Sequence, residues 1–212
     1  MSRAQRAILL LAIALGVGYA WLRGAFVVEG AAAEERAPIA VAGSSIATFA
    51  LGCFWSAESA FADMPGVLAV TSGYTGGTEP HPTYQRVSSG ATGHAEAVEV
   101  RFDPTTVTFT QLLDRFWHEV DPFTAHKQFC DLGDQYRPAV FVHSAEQRDA
   151  ALASRRHWEE HFGRPVTVAV EEAGRFFAAE SYHQDYAARH PIHYRYYRWA
   201  CGRDARLRQI WQ

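Results

Sequence analysis

The rhythm of hydrophobic and polar positions changes several times along the chain, and each change marks an element. After Arg3 and Arg6, residues 7–22 run without a single charge. A core helix would show a polar face, and this run has none, so it reads as an export signal or a membrane anchor. The run is shorter than the roughly 20 residues that span a bilayer, although counting on across Arg23 to Val28 reaches that length if the arginine snorkels. Gly30-Ala31-Ala32-Ala33 offers a small-residue cleavage point, and cleaved signal and retained anchor both stay open. Residues 34–45, small, polar and proline-containing, suit a linker.

The working domain is expected over 46–212. Ile46–Leu51 reads as a strand and Cys53–Asp63 as a helix stopped by Met64-Pro65-Gly66. Val67–Tyr74 alternates up to the turn Thr75-Gly76-Gly77. His94–Phe102 alternates more clearly, with Ala95, Ala97, Val98 and Val100 set among Glu96, Glu99 and Arg101. Thr110–Val120 is an amphipathic helix, 121–137 a loop, and Ala139–His143 a strand. Ser144–Phe162 forms a helix capped by Ser144 and closed by Gly163, and Val166–Val170 is a further strand. Short helical signals lie over Ala178–Arg189, and 190–212 is a tail rich in Tyr, Trp and Arg. This order predicts an α+β two-layer sandwich with a ferredoxin-like split β-α-β core, a mixed sheet and a long coil C-terminal tail.

Composition narrows the function more than the fold. With 48% apolar residues and 13 Phe, 9 Tyr and 6 Trp among 212 residues, the chain has the burial that a disordered protein lacks. A formal net charge of -3 supplies no global field for nucleic acid, and three cysteines cannot make a full disulfide framework. In the tail, arginines interleave with aromatics. That pattern suits single-stranded nucleic acid, but a folded tail packing its rings on the domain accounts for it better.

Two features carry chemistry. Cys53, in Gly52-Cys53-Phe54-Trp55, lies where a strand gives way to a helix, and the helix dipole and free N–H groups there favour thiolate. Position alone leaves a buried structural cysteine equally open. Glu96 is expected to point opposite Ala95 and Ala97. If that face is dry, its pKa rises and it becomes a neutral acid; a solvated face is the alternative. His157 and His161 sit four apart on a helix, but Trp158 stands where a zinc-protease motif needs Glu. His126 and Cys130 have no second ligand pair with the right spacing. No metal site is expected.

The ordered set Gly52-Cys53-Phe54-Trp55, Gly73-Tyr74-Thr75-Gly76-Gly77, Pro82-Thr83-Tyr84, Gly93-His94-Ala95-Glu96-Ala97-Val98, Asp103-Pro104, Gln135-Tyr136-Arg137 and Tyr182-His183-Gln184 closely resembles the peptide methionine sulfoxide reductases of the A type. The resemblance implies that Cys53 attacks the sulfoxide sulfur while Glu96 protonates the oxygen so that it can leave as water. It also implies that Tyr84 and Tyr136 hydrogen-bond that oxygen beside Asp131, and that Phe54 and Trp55 hold the S-methyl group. The substrate is then the S epimer of methionine sulfoxide, free or in oxidised proteins, and a Cys53 sulfenic acid is resolved to a disulfide by a second thiol. The implied cofactor set is empty, with a thioredoxin-like protein as reductant and a monomer as the acting unit. Tail cysteines resolve in the family, so Cys201 is the expected partner of Cys53, with a Cys53–Cys130 pair as the alternative. With residues 1–33 as export signal or anchor, the expected location is the cell envelope, and the cytoplasm is the alternative. Two other readings remain open here: a cysteine hydrolase using His94 or His183 as base, and a membrane-tethered binding module acting through the basic tail.

Overall fold

The computed structural model describes residues 43–211. In chain order the elements are β1 (Ser45–Leu51), α1 (Phe54–Phe61), β2 (Val67–Thr75), α2 (Tyr84–Ser88), β3 (Ala95–Phe102) and α3 (Phe109–Trp117). They continue with a small hairpin, β4 (Lys127–Gln128) and β5 (Asp131–Leu132), and a 3-10 turn at Asp134–Tyr136. The chain ends with β6 (Pro138–Val142), α4 (Ala145–Phe162), β7 (Ala169–Glu172), β8 (Phe177–Ala178), α5 (Tyr186–Arg189), α6 (Pro191–Ala200) and α7 (Arg203–Trp211).

One sheet has the order β7-β6-β1-β3-β2-β8. Strand β3 lies between β1 and β2 and is antiparallel to both, while α1 joins the strands on either side of it. Strand β6 adds antiparallel to β1, and β7 adds parallel to β6. This is the expected split β-α-β core in a mixed sheet. The side chains explain the centre. Ala95 and Ala97 face Ala50, Ala139 and Phe141, whereas Val98 and Val100 face the helix side with Phe49, Phe61, Leu112 and Phe116. Phe49 stacks on Phe61 at 5.0 Å and on Phe116 at 5.5 Å, and each fully buried ring of this size is worth about 1.5–3 kcal/mol. Helix starts follow their caps. Thr108 and Gln111 form a capping box before α3, Ser144 accepts from Gln147 N before α4, and Gly163 closes α4 in the left-handed region.

The structure departs from the sequence-based expectation in four places. The strand expected at Val166–Val170 lies at Ala169–Glu172, because Thr167 donates both its N–H and its hydroxyl to the Pro122 carbonyl and stays off the sheet. The helix expected from Ala178 begins only at Tyr186, since Ala178 pairs with Gly73 in β8 and Ala179 N donates to Ser72 O. The expected coil tail is helical in α6 and α7, which bury Tyr194, Arg203 and Leu207 against the domain. The expected loop 121–137 contains the β4–β5 hairpin. The expected signal or anchor at 1–33 and residues 34–42 of the linker lie outside the described residues; among those described, no helix is long and apolar enough to cross a membrane.

Candidate active site

The chain leaves β1 through Gly52, whose φ of +89° is a glycine conformation and whose missing Cβ would come within 2.6 Å of Gln128 Cβ. That sharp turn places Cys53 at the N-cap of α1, where its carbonyl accepts from Ser56 N and Ala57 N and its thiol is left free. The sulfur is buried, 8% of the residue being exposed. Burial, reinforced by the negative charges of Glu96 and Asp131, pushes its pKa well above the ordinary thiol value, and the polar contacts with the Tyr197 hydroxyl and Trp55 N–H do not offset this. The helix-dipole expectation of a thiolate is therefore corrected: desolvation outweighs the dipole, and the resting group is a thiol.

Glu96 points to the helix side of β3 and is only 1% exposed, so the solvated-face alternative is excluded. Phe54 N–H, the first of α1, donates to Glu96 Oε2 at 3.0 Å. Burial still wins over that bond and, with Asp131 and Glu180 nearby, raises the carboxyl pKa to about 8. Glu96 is thus a neutral acid at pH 7 beside the thiol.

Two phenols complete the polar side. Tyr84 opens α2, and its N–H donates to Glu180 Oε1 at 2.9 Å while Tyr74 Oη donates to Glu180 Oε2 at 2.8 Å. Tyr136 ends the 3-10 turn, which Gln135 Nε2 clamps to α2 through Ser88 O. Burial first and Glu96 next raise both phenol pKa values, that of Tyr84 to about 12, so both stay protonated donors. Asp131 opens β5 and accepts from Tyr197 Oη at 2.6 Å; burial raises its pKa too. Tyr197 therefore links Asp131 to the Cys53 sulfur.

The apolar side is built on Phe54 and Trp55. Phe54 is buried against His183, Tyr74 and Tyr84. The Trp55 ring stacks on Tyr186 at 3.7 Å with planes 5° apart, meets Tyr197 edge-on, and donates Nε1–H to His183 Nδ1. His183 is held neutral by burial, its pKa lowered to about 4. His94 accepts from Gly77 N at Nδ1 and contacts Glu79 O through Nε2. Neither histidine is placed as a base for Cys53, which removes the support for a hydrolase.

The structure gathers Cys53, Phe54, Trp55, Tyr84, Glu96, Asp131 and Tyr136 as the sequence expected. It also adds Tyr197, Glu180 and Tyr186, which were not anticipated. Cys201 is joined by a disulfide to Cys130, with Cα atoms 5.0 Å apart. The expectation had paired it with Cys53 and kept Cys130 as the alternative partner of Cys53. The β4–β5 turn and the end of α6 meet because the Arg203 guanidinium lies over the Phe129 ring at 4.4 Å and Tyr197 holds Asp131. Cys130, Asp131 and Cys201 form the one group of metal-ligating side chains found close together among the described residues, their ligand atoms within 4.8 Å of one another. With both sulfurs in a disulfide they offer no thiolate to a soft cation. The basic tail is engaged internally, with Arg198 on Asp204 and Glu119, and Arg206 on Asp121.

Comparison with known proteins gives one answer. The profile of the family described as "Peptide methionine sulfoxide reductase" matches residues 45–212. The peptide methionine sulfoxide reductase MsrA of Bacillus licheniformis is 45% identical over 168 residues, covering 78% of this chain and 93% of that relative. The solved methionine sulfoxide reductase A of Corynebacterium diphtheriae superposes with a TM-score of 0.69 at 30% identity, over 76% of this chain and 83% of that one. Saccharomyces cerevisiae Mxr1, solved in complex with Trx2, shares the fold with a TM-score of 0.51 at 21% identity, over 73% of this chain and 92% of its own.

Proposed function

The chain belongs to the peptide methionine sulfoxide reductase family, and on that premise we propose that Cys53 and Glu96 carry out the reduction, with Cys201 and Cys130 returning the enzyme to its reduced state. It is an oxidoreductase that reduces methionine sulfoxide to methionine. The observation that carries the residue assignment is the buried carboxyl of Glu96, which accepts from the first N–H of the helix that Cys53 caps and whose pKa burial pushes up. As the Cys53 sulfur attacks the sulfoxide sulfur, Glu96 gives its proton to the oxygen, with Tyr84 and Tyr136 as hydrogen-bond donors to it. The oxygen leaves as water with the protons of Glu96 and the Cys53 thiol while an S–S bond to the substrate sulfur forms. Water then attacks the Cys53 sulfur and returns a proton to Glu96, that S–S bond breaks, methionine departs, and Cys53, oxidised by two electrons, becomes a sulfenic acid. Phe54 and Trp55 hold the S-methyl group, and the S epimer is the one that fits.

The Cys201 thiol then displaces water from the sulfenic acid, forming a Cys53–Cys201 disulfide. Attack by the Cys130 thiol on the Cys201 sulfur frees Cys53 and leaves the Cys130–Cys201 bond. The disulfide found here, with Cys53 a free thiol, supports that last state. A thioredoxin-like dithiol protein is the reductant, as the yeast relative's complex with Trx2 also suggests. Arg3, Arg6 and the uncharged run after them support action in the cell envelope on oxidised proteins there; an export-dependent reporter fused to residues 1–45 checks this, and a silent reporter returns the enzyme to the cytoplasm. The activity is tested by giving the purified protein the separated epimers of a sulfoxide peptide with dithiothreitol. The S form is consumed, the R form is not, and Cys53→Ser reduces neither, even in one turnover. Turnover by that variant would assign the chemistry to another thiol.

A further inference from the structure

Exposed apolar side chains scattered singly need no explanation, but a contiguous apolar patch marks an interaction site, and here three lie on one helix. Of the six large hydrophobic residues exposed among the described residues, Ile192, Tyr196 and Trp199 lie on α6 and Leu132 on β5. Ile192, Tyr196 and Trp199 follow one another at i, i+4 and i+7, so they form a single stripe along the helix. They are 78%, 65% and 73% exposed, while Tyr194 of the same helix is buried on the domain. The Tyr196 and Trp199 rings are 6.0 Å apart and form a continuous aromatic surface.

The stripe leads to the disulfide. Trp199 stands two residues before Cys201, and Leu132, 69% exposed, stands two residues after Cys130, so apolar surface flanks the S–S bond from both chain directions. Cys53 is buried and already a free thiol, whereas Cys130, one half of the bond that must be reduced, is exposed. A protein reductant must therefore take hold at the Cys130–Cys201 bond.

Resting on the function proposed above, we infer that the Ile192-Tyr196-Trp199 stripe of α6, with Leu132 across the disulfide, is the docking face for a thioredoxin-like dithiol protein, and that its thiolate attacks Cys130. Aromatic side chains of this kind are the usual anchors of protein interfaces. The attack breaks the S–S bond and forms a mixed disulfide at Cys130, and Cys201 leaves as a thiolate and takes up a proton. The Cys130 N–H, which already points at Cys201 Sγ at 3.3 Å, stabilises that leaving charge. The second thiolate of the partner then attacks its own sulfur in the mixed disulfide and releases Cys130. Two electrons have passed from the partner dithiol to the enzyme, and the partner carries the new disulfide.

The test compares two reductants on the full chain. In Ile192→Ser/Trp199→Ser, kcat/KM for thioredoxin, recycled by its reductase and NADPH, falls at least about tenfold, while turnover with dithiothreitol stays at the native rate. Leu68→Ser, an equally simple change of an exposed leucine on β2, alters neither. A thioredoxin lacking its second cysteine is trapped on the oxidised enzyme, and peptide mass mapping finds it on Cys130. Unchanged thioredoxin kinetics in the double variant, with binding to lipid vesicles or self-association lost instead, would give the stripe to a membrane or a second copy and overturn the proposal. Trapping on Cys201 or Cys53 overturns the direction of attack. Failure of dithiothreitol to sustain turnover of the native protein would instead sink the underlying function, and the docking face with it.

Discussion

Glu96 keeps its proton because a single hydrogen bond, from Phe54 N–H, is all that replaces the water its carboxylate would need. The sign of the pH dependence follows. Single-turnover reduction holds below about pH 8 and falls as the pH rises through the Glu96 pKa, since the ionised form has no proton to give. Glu96→Gln removes that limb and costs about 10²–10⁴-fold in rate; a pH profile that keeps its alkaline limb in this variant assigns the limb to another group. Stability runs in the same direction. A carboxyl pKa raised by folding contributes fully below the unfolded value of 4.5 and loses its contribution as the pH passes about 8, so Glu96→Gln gains on the native protein above that pH. From the chain alone the Gly-Cys junction and strand alternation made Cys53 and Glu96 candidates, beside a structural cysteine and a solvated strand face; the family resemblance singled them out. Tyr84 and Tyr136 needed the family resemblance. Tyr197 and Glu180 left no local signal, because their contacts, to Asp131 and Tyr74, cross 66 and 106 positions of sequence.

Helix α5 has four residues, too few to persist unaided, and α1 supplies what it lacks. Glu58, one turn beyond the catalytic N-cap, accepts from Asp185 N at 3.0 Å and Tyr186 N at 3.2 Å, and burial raises its pKa to about 7. The anchor fixes Tyr186 where it stacks on Trp55. Glu58→Ala is expected to cost about 1 kcal/mol in urea denaturation, the ordinary net worth of the part-buried hydrogen bonds it removes, and to raise KM for sulfoxide peptides more than it lowers kcat. Glu58→Gln, which keeps an acceptor, loses less on both. At this scale the sequence revealed the elements that an apolar pattern or a pair of caps marks: β1, β2, β3, β6, α1, α3 and α4. It hid those that a distant partner decides. Strand β8 is two residues long and is held by Gly73, and β7 is displaced by the Pro122 carbonyl. In α7 the apolar stripe is interrupted by Arg203, which is nonetheless buried because its Nη2 donates to Leu51 O and Glu119 O. A pattern reading places arginine outside, so the helix packing went unseen.

Across the molecule, Arg203 and the disulfide both tie the tail to the part of the chain that begins the site. The Cys130–Cys201 bond closes a span of 71 residues, and chain entropy alone makes such a closure worth about 4 kcal/mol. The oxidised protein should therefore melt higher than the same protein in dithiothreitol, and Cys130→Ser should melt with the reduced form whatever the reductant. Equal melting temperatures for all three would mean that the tail is pinned by Arg203 and its neighbours so firmly that the bond adds nothing. The relation also runs backwards, since whatever the disulfide adds to the fold, the fold adds to the disulfide. At 30 mV for each 1.4 kcal/mol, a contribution of that size sets the reduction potential of this pair roughly 90 mV below that of the same cysteines in the unfolded chain. A monothiol buffer of ordinary poise would then leave most of the enzyme oxidised, and the supply of strongly reducing dithiols, more than the supply of damaged methionine, would govern how fast repair proceeds.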